Sequence, residues 1–170
     1  SSNPQDIQTV RENIAKVNPH ATVVDGASPI SVDDPSVIKG KRVLVVEDGP
    51  TLTHGEMKIG AGTVAARKFG ASEIVDPRPY TVGRLKETFR TYPGIGALLP
   101  AMGYGKEQIG DLEKTINKTD CDSVIIGTPI DLNRIVNIKK PNTRVYYELD
   151  EIGKPDLEDV LEEFIKKNNL

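Results

Sequence analysis

Tryptophan is missing from this 170-residue sequence, cysteine occurs once and histidine twice. The single cysteine, Cys121, excludes a disulfide framework within the chain. One cysteine and two histidines also leave no zinc ligand set. Aromatic residues make up only 5% of the chain, so aliphatic side chains must build the core. No apolar run approaches the roughly 20 residues that span a bilayer, and no signal peptide is legible at the N-terminus. Strong charge of either sign is lacking too. With 22 basic and 25 acidic residues the net charge is −3, which gives no general attraction for nucleic acid or an anionic membrane. The expectation is a soluble, cytoplasmic protein whose phosphate binding, if any, comes from a local cluster. The length suits one domain with a real core.

What is present is a succession of short apolar runs separated by glycine, proline and polar residues. Asn3-Pro4 opens a helix whose Ile7, Val10, Ile14 and Val17 share one apolar face. Ala21–Val24 reads as a short strand and Ala27–Gly40 as an irregular connection. Arg42–Val46 has the β-branched, uninterrupted character of a strand buried on both faces. A polar loop follows, then a helix that ends at Phe69 with Gly70 as its cap. Glu73–Asp76 and Ser123–Ile126 read as further strands, and Thr143–Leu149 as another. Helices are expected from Val82 to about Tyr92, capped by Thr81, from Lys106 to Asn117, and after Pro155-Asp156. In that last helix Leu157, Val160, Leu161, Phe164 and Ile165 are expected to pack inward. The Pro93–Gly105 loop either covers the core or serves as a lid or subunit contact. The alternation predicts an α/β fold: a mostly parallel, open, Rossmann-like sheet of about five strands with helices on both faces.

In such a sheet the loops after Val46, Val75 and Ile126 are expected at one carboxyl edge. The first loop offers Glu47, Asp48, Thr51, Thr53, His54 and Lys58, and leads through Gly60 and Gly62 into a helix. The second offers Asp76, Arg78 and, one turn into the next helix, Arg84; the third offers Thr128. Cations, hydroxyls and glycine N–H groups that converge with carboxylates suit a phosphorylated small molecule, with Glu47 and Asp48 available to Mg²⁺. In this expectation Thr51, Thr53, Lys58, Gly60, Gly62, Arg78, Arg84 and Thr128 bind substrate. His54 is the candidate acid or base, and Asp48 is a second catalytic candidate. Strand-end Asp and Thr also serve simply as turn or helix caps. Cys121, just before a buried strand, reads as a small apolar filler rather than a nucleophile. Gly60-Ala-Gly62-Thr-Val-Ala65 has the spacing of a dinucleotide fingerprint, but some dozen residues separate it from the strand it should follow directly. No G-x-x-x-x-G-K-[ST] segment occurs.

The phrases GKRVLVVEDGPTLTHGEM, GAGTVAARKFGA, IVDPRPYTVG, LLPAMGYG, DLEKTIN and GTPIDL occur together in this sequence. As a set they resemble the C-terminal part of the cyclic 2,3-diphosphoglycerate synthetase family and its relatives described as predicted P-loop GTPases. That resemblance implies residues 1–35 as the tail of an upstream P-loop nucleotide domain and 36–170 as a C-terminal Rossmann-like domain. It implies ATP- and Mg²⁺-dependent closure of a phosphoanhydride, with ATP or GTP bound mainly outside this chain. Without a Walker A segment the chain alone is expected to be inactive. The alternative is a non-catalytic domain that binds a phosphorylated metabolite or forms a homodimer.

Overall fold

The computed structural model describes residues 3–53 and 59–169. They form two compact units: Ile30–Tyr147, and the segments that precede and follow it.

The Ile30–Tyr147 unit is built on strand β3, Arg42–Asp48, of which five consecutive residues are buried. β6, Ser123–Gly127, runs parallel along one side of it in the register Val43↔Ser123 to Glu47↔Gly127. β7, Asn142–Tyr147, lies parallel to β6, and the short β2, Ile30–Val32, closes that edge antiparallel to β7. The other side of β3 is shared by two strands. β4, Glu73–Ile74, pairs with Arg42 and Val43, and β5, Leu99–Ala101, pairs with Val46, Glu47 and Asp48. The result is a six-stranded, mostly parallel sheet of the Rossmann-like kind, as the alternation of apolar runs predicts. β2 and β5 are additional to that expectation. Each is three residues long, β5 lies in the glycine- and proline-rich loop, and β2 lies in the stretch read as irregular.

Successive side chains of β3 point to opposite faces and seed two cores. Leu44 and Val46 join Val124, Ile126, Leu85, Leu112 and Ile116 on one face. Val43 and Val45 join Ile125, Ala65, Ala66 and Leu98 on the other. Cys121 is buried in the first core as a filler, and burial pushes its thiol pKa up. Helix α3, Ala61–Lys68, covers the second face; α4, Arg84–Thr91, and α5, Lys106–Lys118, cover the first. Thr81 does not cap α4. Its hydroxyl donates to the Arg78 carbonyl, and the α4 N-terminus is met instead by Asp111 of α5, whose Oδ2 accepts from the Arg84 N–H at 3.0 Å.

The flanking unit holds α1, Pro4–Val17, a two-stranded antiparallel ribbon of β1, Gly26–Ala27, and β8, Asp150–Glu151, and α6, Leu157–Asn168. Ala21–Val24 is not a strand. Both helices begin where the sequence says, α1 with an Asn3 cap and α6 with a reciprocal Asp156–Asp159 capping box. Their apolar stripes are not buried, however. Ile7, Val10 and Val17 on α1, and Leu157, Leu161, Phe164 and Ile165 on α6, are all exposed. The inward packing expected for α6 is therefore overturned: helical periodicity reports an apolar face but not what covers it. Among the described residues no helix is long and apolar enough to cross a membrane.

Candidate functional site

The carboxyl rim of the sheet is set by the Glu47↔Gly127 register of β3 and β6. Glu47 is 2% exposed. Its Oε1 accepts from the Thr63 N–H at 2.8 Å and the Thr63 hydroxyl at 3.0 Å, and its Oε2 accepts from the Gly62 N–H at 3.3 Å. Expected as a Mg²⁺ ligand, Glu47 instead serves in this structure as a carboxylate seated at the positive end of α3. Burial raises its pKa, opposed by the bonds from Thr63, Gly62 and Gly60. The Gly60–Gly62 turn, expected to face a phosphate, wraps this side chain. A Cβ at Gly60 would collide with the Glu47 carboxylate, and one at Gly127 would sit 2.6 Å from Glu47 Oε2 and 2.8 Å from the Gly62 nitrogen. The glycine spacing that looked like a dinucleotide fingerprint is here a close approach of backbone to a buried acid.

Asp48 is half-buried and turned the other way, into the loop. Its Oδ2 accepts from the Thr51 hydroxyl at 2.8 Å and the Thr51 N–H at 3.3 Å, capping the short helix α2, Gly49–Thr53. The Thr53 hydroxyl donates back to the Gly49 carbonyl at 3.0 Å. Asp48 and Thr51 are thus brought together at the rim, directly beside the end of β5. Tyr104 joins them. Burial raises its phenol pKa, and the negative charge of Asp48 raises it further. Tyr104 is not among the residues that the loop motifs single out, although an aromatic in the LLPAMGYG phrase of so aromatic-poor a chain is a usable signal. His54 and Lys58 lie outside the described residues.

The other predicted loops do not all reach this level. The Thr128 side chain is buried and donates to the Ile130 carbonyl at 2.6 Å, so it shapes the turn after β6. Ile74 of β4 is level with Val43, five residues short of Asp48, or about 16 Å along the strand. Asp76 and Arg78 therefore follow a strand that stops well below the rim, and the expectation of a single carboxyl edge for all three loops is corrected: β5 occupies the place assigned to β4. Arg78 Nε donates to both Asp76 oxygens at 2.9 Å. Burial alone would raise the Asp76 pKa, but those bonds outweigh it and hold the carboxyl below its usual range. Arg84 begins α4, where its Nη2 pairs with Glu107 at 3.1 Å. Among the described residues no three His, Cys, Asp or Glu side chains are grouped to hold a metal ion.

A parallel sheet with a polar rim and helices around it defines a Rossmann-like α/β domain. No family model matches the chain. It is 65% identical over 166 residues to arginine synthetase ArcE of Thermococcus kodakarensis. The match takes in 98% of this chain but only 37% of that relative, in its C-terminal part, so the chain spans little more than a third of the length of the protein it matches. By this measure the chain is similar to the C-terminal portion of a synthetase.

Proposed function

We propose that this chain is the C-terminal α/β portion of an ATP-driven synthetase and that it serves arginine formation. The observation that carries the reading is the 65% identity over 166 residues to arginine synthetase ArcE. In this reading the nucleotide, ATP or GTP, binds with Mg²⁺ mainly outside these 170 residues, since they contain no G-x-x-x-x-G-K-[ST]. The chain then supplies the acceptor side. A synthetase makes an unreactive oxygen leave by phosphorylating it, and a nucleophile held in line then displaces phosphate. Bringing the partners together supplies much of the acceleration. The loop that begins at Asp48 is the best-placed part of the chain for that work. Its Thr51 and Thr53 hydroxyls donate to Asp48 and to the Gly49 carbonyl, so His54 and Lys58, further along the sequence, offer the donors to a transferred phosphoryl group, and Asp48 offers a carboxylate to its counter-ion.

A second reading keeps the same activation step but a different acceptor, 2,3-diphosphoglycerate closing into its cyclic anhydride. It is favoured by the motif run GKRVLVVEDGPTLTHGEM. One experiment separates the two. A chimera in which this chain replaces the C-terminal part of the Thermococcus enzyme is supplied with that enzyme's own substrates, and separately with 2,3-diphosphoglycerate. The expected outcome is arginine formation by the chimera and none by the 170-residue chain alone. A folded chimera that makes no arginine but cyclises 2,3-diphosphoglycerate would replace the first reading with the second.

A further inference from the structure

A cavity of about 370 Å³ lies between α4, α5 and the end of β5, a size suited to a small organic ligand. Its floor is apolar, with Leu85 and Leu112 from the first core and Met102 from the segment after β5. Its wall carries Arg84, Glu87 and Asp111. One of these charged groups is held in place by the backbone. Asp111 Oδ2 is fixed by the Arg84 backbone N–H at 3.0 Å, which leaves its second oxygen for another donor. The exposed Arg84 guanidinium pairs through Nη2 with Glu107 at 3.1 Å, which leaves its other N–H groups to fork onto a second carboxylate.

We propose that this cavity binds a basic α-amino acid, with arginine itself the ligand of best fit. The ligand's carboxylate takes Arg84, its two cationic groups take Asp111 and Glu87, and its methylene stem lies on Leu85, Leu112 and Met102. One cation and two carboxylates lining the same cavity complement a zwitterion that carries an extra positive charge. The same wall repels a dense polyanion, so a diphosphorylated acid is the wrong guest. The site rests on the arginine-forming reading for its place in a reaction, but not for its chemistry.

The test titrates the 170-residue chain with L-arginine, agmatine, L-norleucine and 2,3-diphosphoglycerate, by calorimetry and by thermal shift. L-Arginine should bind at least about tenfold more tightly than agmatine, which lacks the carboxylate, or norleucine, which lacks the guanidinium. Arg84→Gln should weaken arginine at least about tenfold and leave agmatine unchanged, whereas Glu87→Gln should weaken both. Both residues are exposed, so neither variant should alter the apo melting temperature. No binding of L-arginine by the folded chain, equal binding by wild type and Arg84→Gln, or tighter binding of 2,3-diphosphoglycerate would overturn the proposal. If the chimera makes arginine while Arg84→Gln binds it normally, the site falls and the function stands. If the chain binds arginine through Arg84 but the chimera makes none, the function falls and the site stands.

Discussion

The two compact units of this chain solve the same problem with unequal means. In Ile30–Tyr147 the central strands bury both faces, and Leu44, Val45, Val46, Val124, Ile125 and Ile126 are fully inaccessible. In the flanking unit no described residue is buried at all, although α1 and α6 carry well-formed caps and apolar stripes. Good local signals make a helix start and stop in the right place. Only a partner surface removes its stripe from water, and a two-stranded ribbon is too small to be one. Stability in the first unit is therefore a matter of packing, and in the second of propensity and capping.

Mutations sharpen that contrast. Leu44→Ala should cost about 3–4 kcal/mol, because it opens a cavity where sheet and helices interlock. Urea unfolding measures it, and a loss below about 1 kcal/mol would break the comparison. Glu47→Ala should cost about 3 kcal/mol by leaving the Gly62 and Thr63 donors buried and unpaired. Gly127→Ala should cost about 2 kcal/mol through overlap with Glu47 and Gly62, and it should lose only the Glu47 part of that penalty in a Glu47→Ala background, because the clash with the Gly62 backbone at 2.8 Å remains; the double-mutant cycle separates the two contacts.

Glu47 also gives the packed unit a pH signature. Folding raises its pKa, so below the unfolded value of 4.5 its stabilising contribution is fully present, and it is lost as pH rises through the folded value. The urea midpoint of wild type relative to Glu47→Gln should accordingly rise as pH falls from 7 towards 4.5. A ratio that stays flat would mean that the bonds from α3 offset the burial completely. At the small end, Phe164→Ser on exposed α6 should shift stability by no more than about 0.5 kcal/mol. Arg78→Ala should cost less than about 1 kcal/mol, because its pair with Asp76 is nearly half exposed. A Phe164→Ser variant that unfolds the protein would show that α6 is more tightly held than its exposure indicates.

The main strands were legible because β3 and β6 carry uninterrupted apolar runs and β7 alternates, and all three fall within two residues of the positions read from sequence. β2 and β5 were not, since three residues give no period, and Pro100 argues against a strand except at an edge, which is where it lies. Among the site residues, Asp48 and Thr51 come together as adjacent positions on one loop should. What could not be read is which way each acid of Glu47-Asp48 points. Strand alternation separates them onto opposite sides, and only the start of α3, fifteen residues later, claims Glu47. Asp111 was equally hidden, because its role at the start of α4 joins residues 27 apart.

The hand-over from β4 to β5 along one margin of β3 has a further consequence. Everything between Ile74 and Leu99, α4 and its cavity wall included, leaves the sheet and returns to the same neighbour a few residues higher. Such an excursion behaves as an exchangeable cassette. Its length and lining can change at the modest entropic cost of a longer loop, while the strands that fix the rim keep their register. Two proteins could share the Asp48 turn and the Glu47 clasp, yet admit different guests by rewriting this one detour.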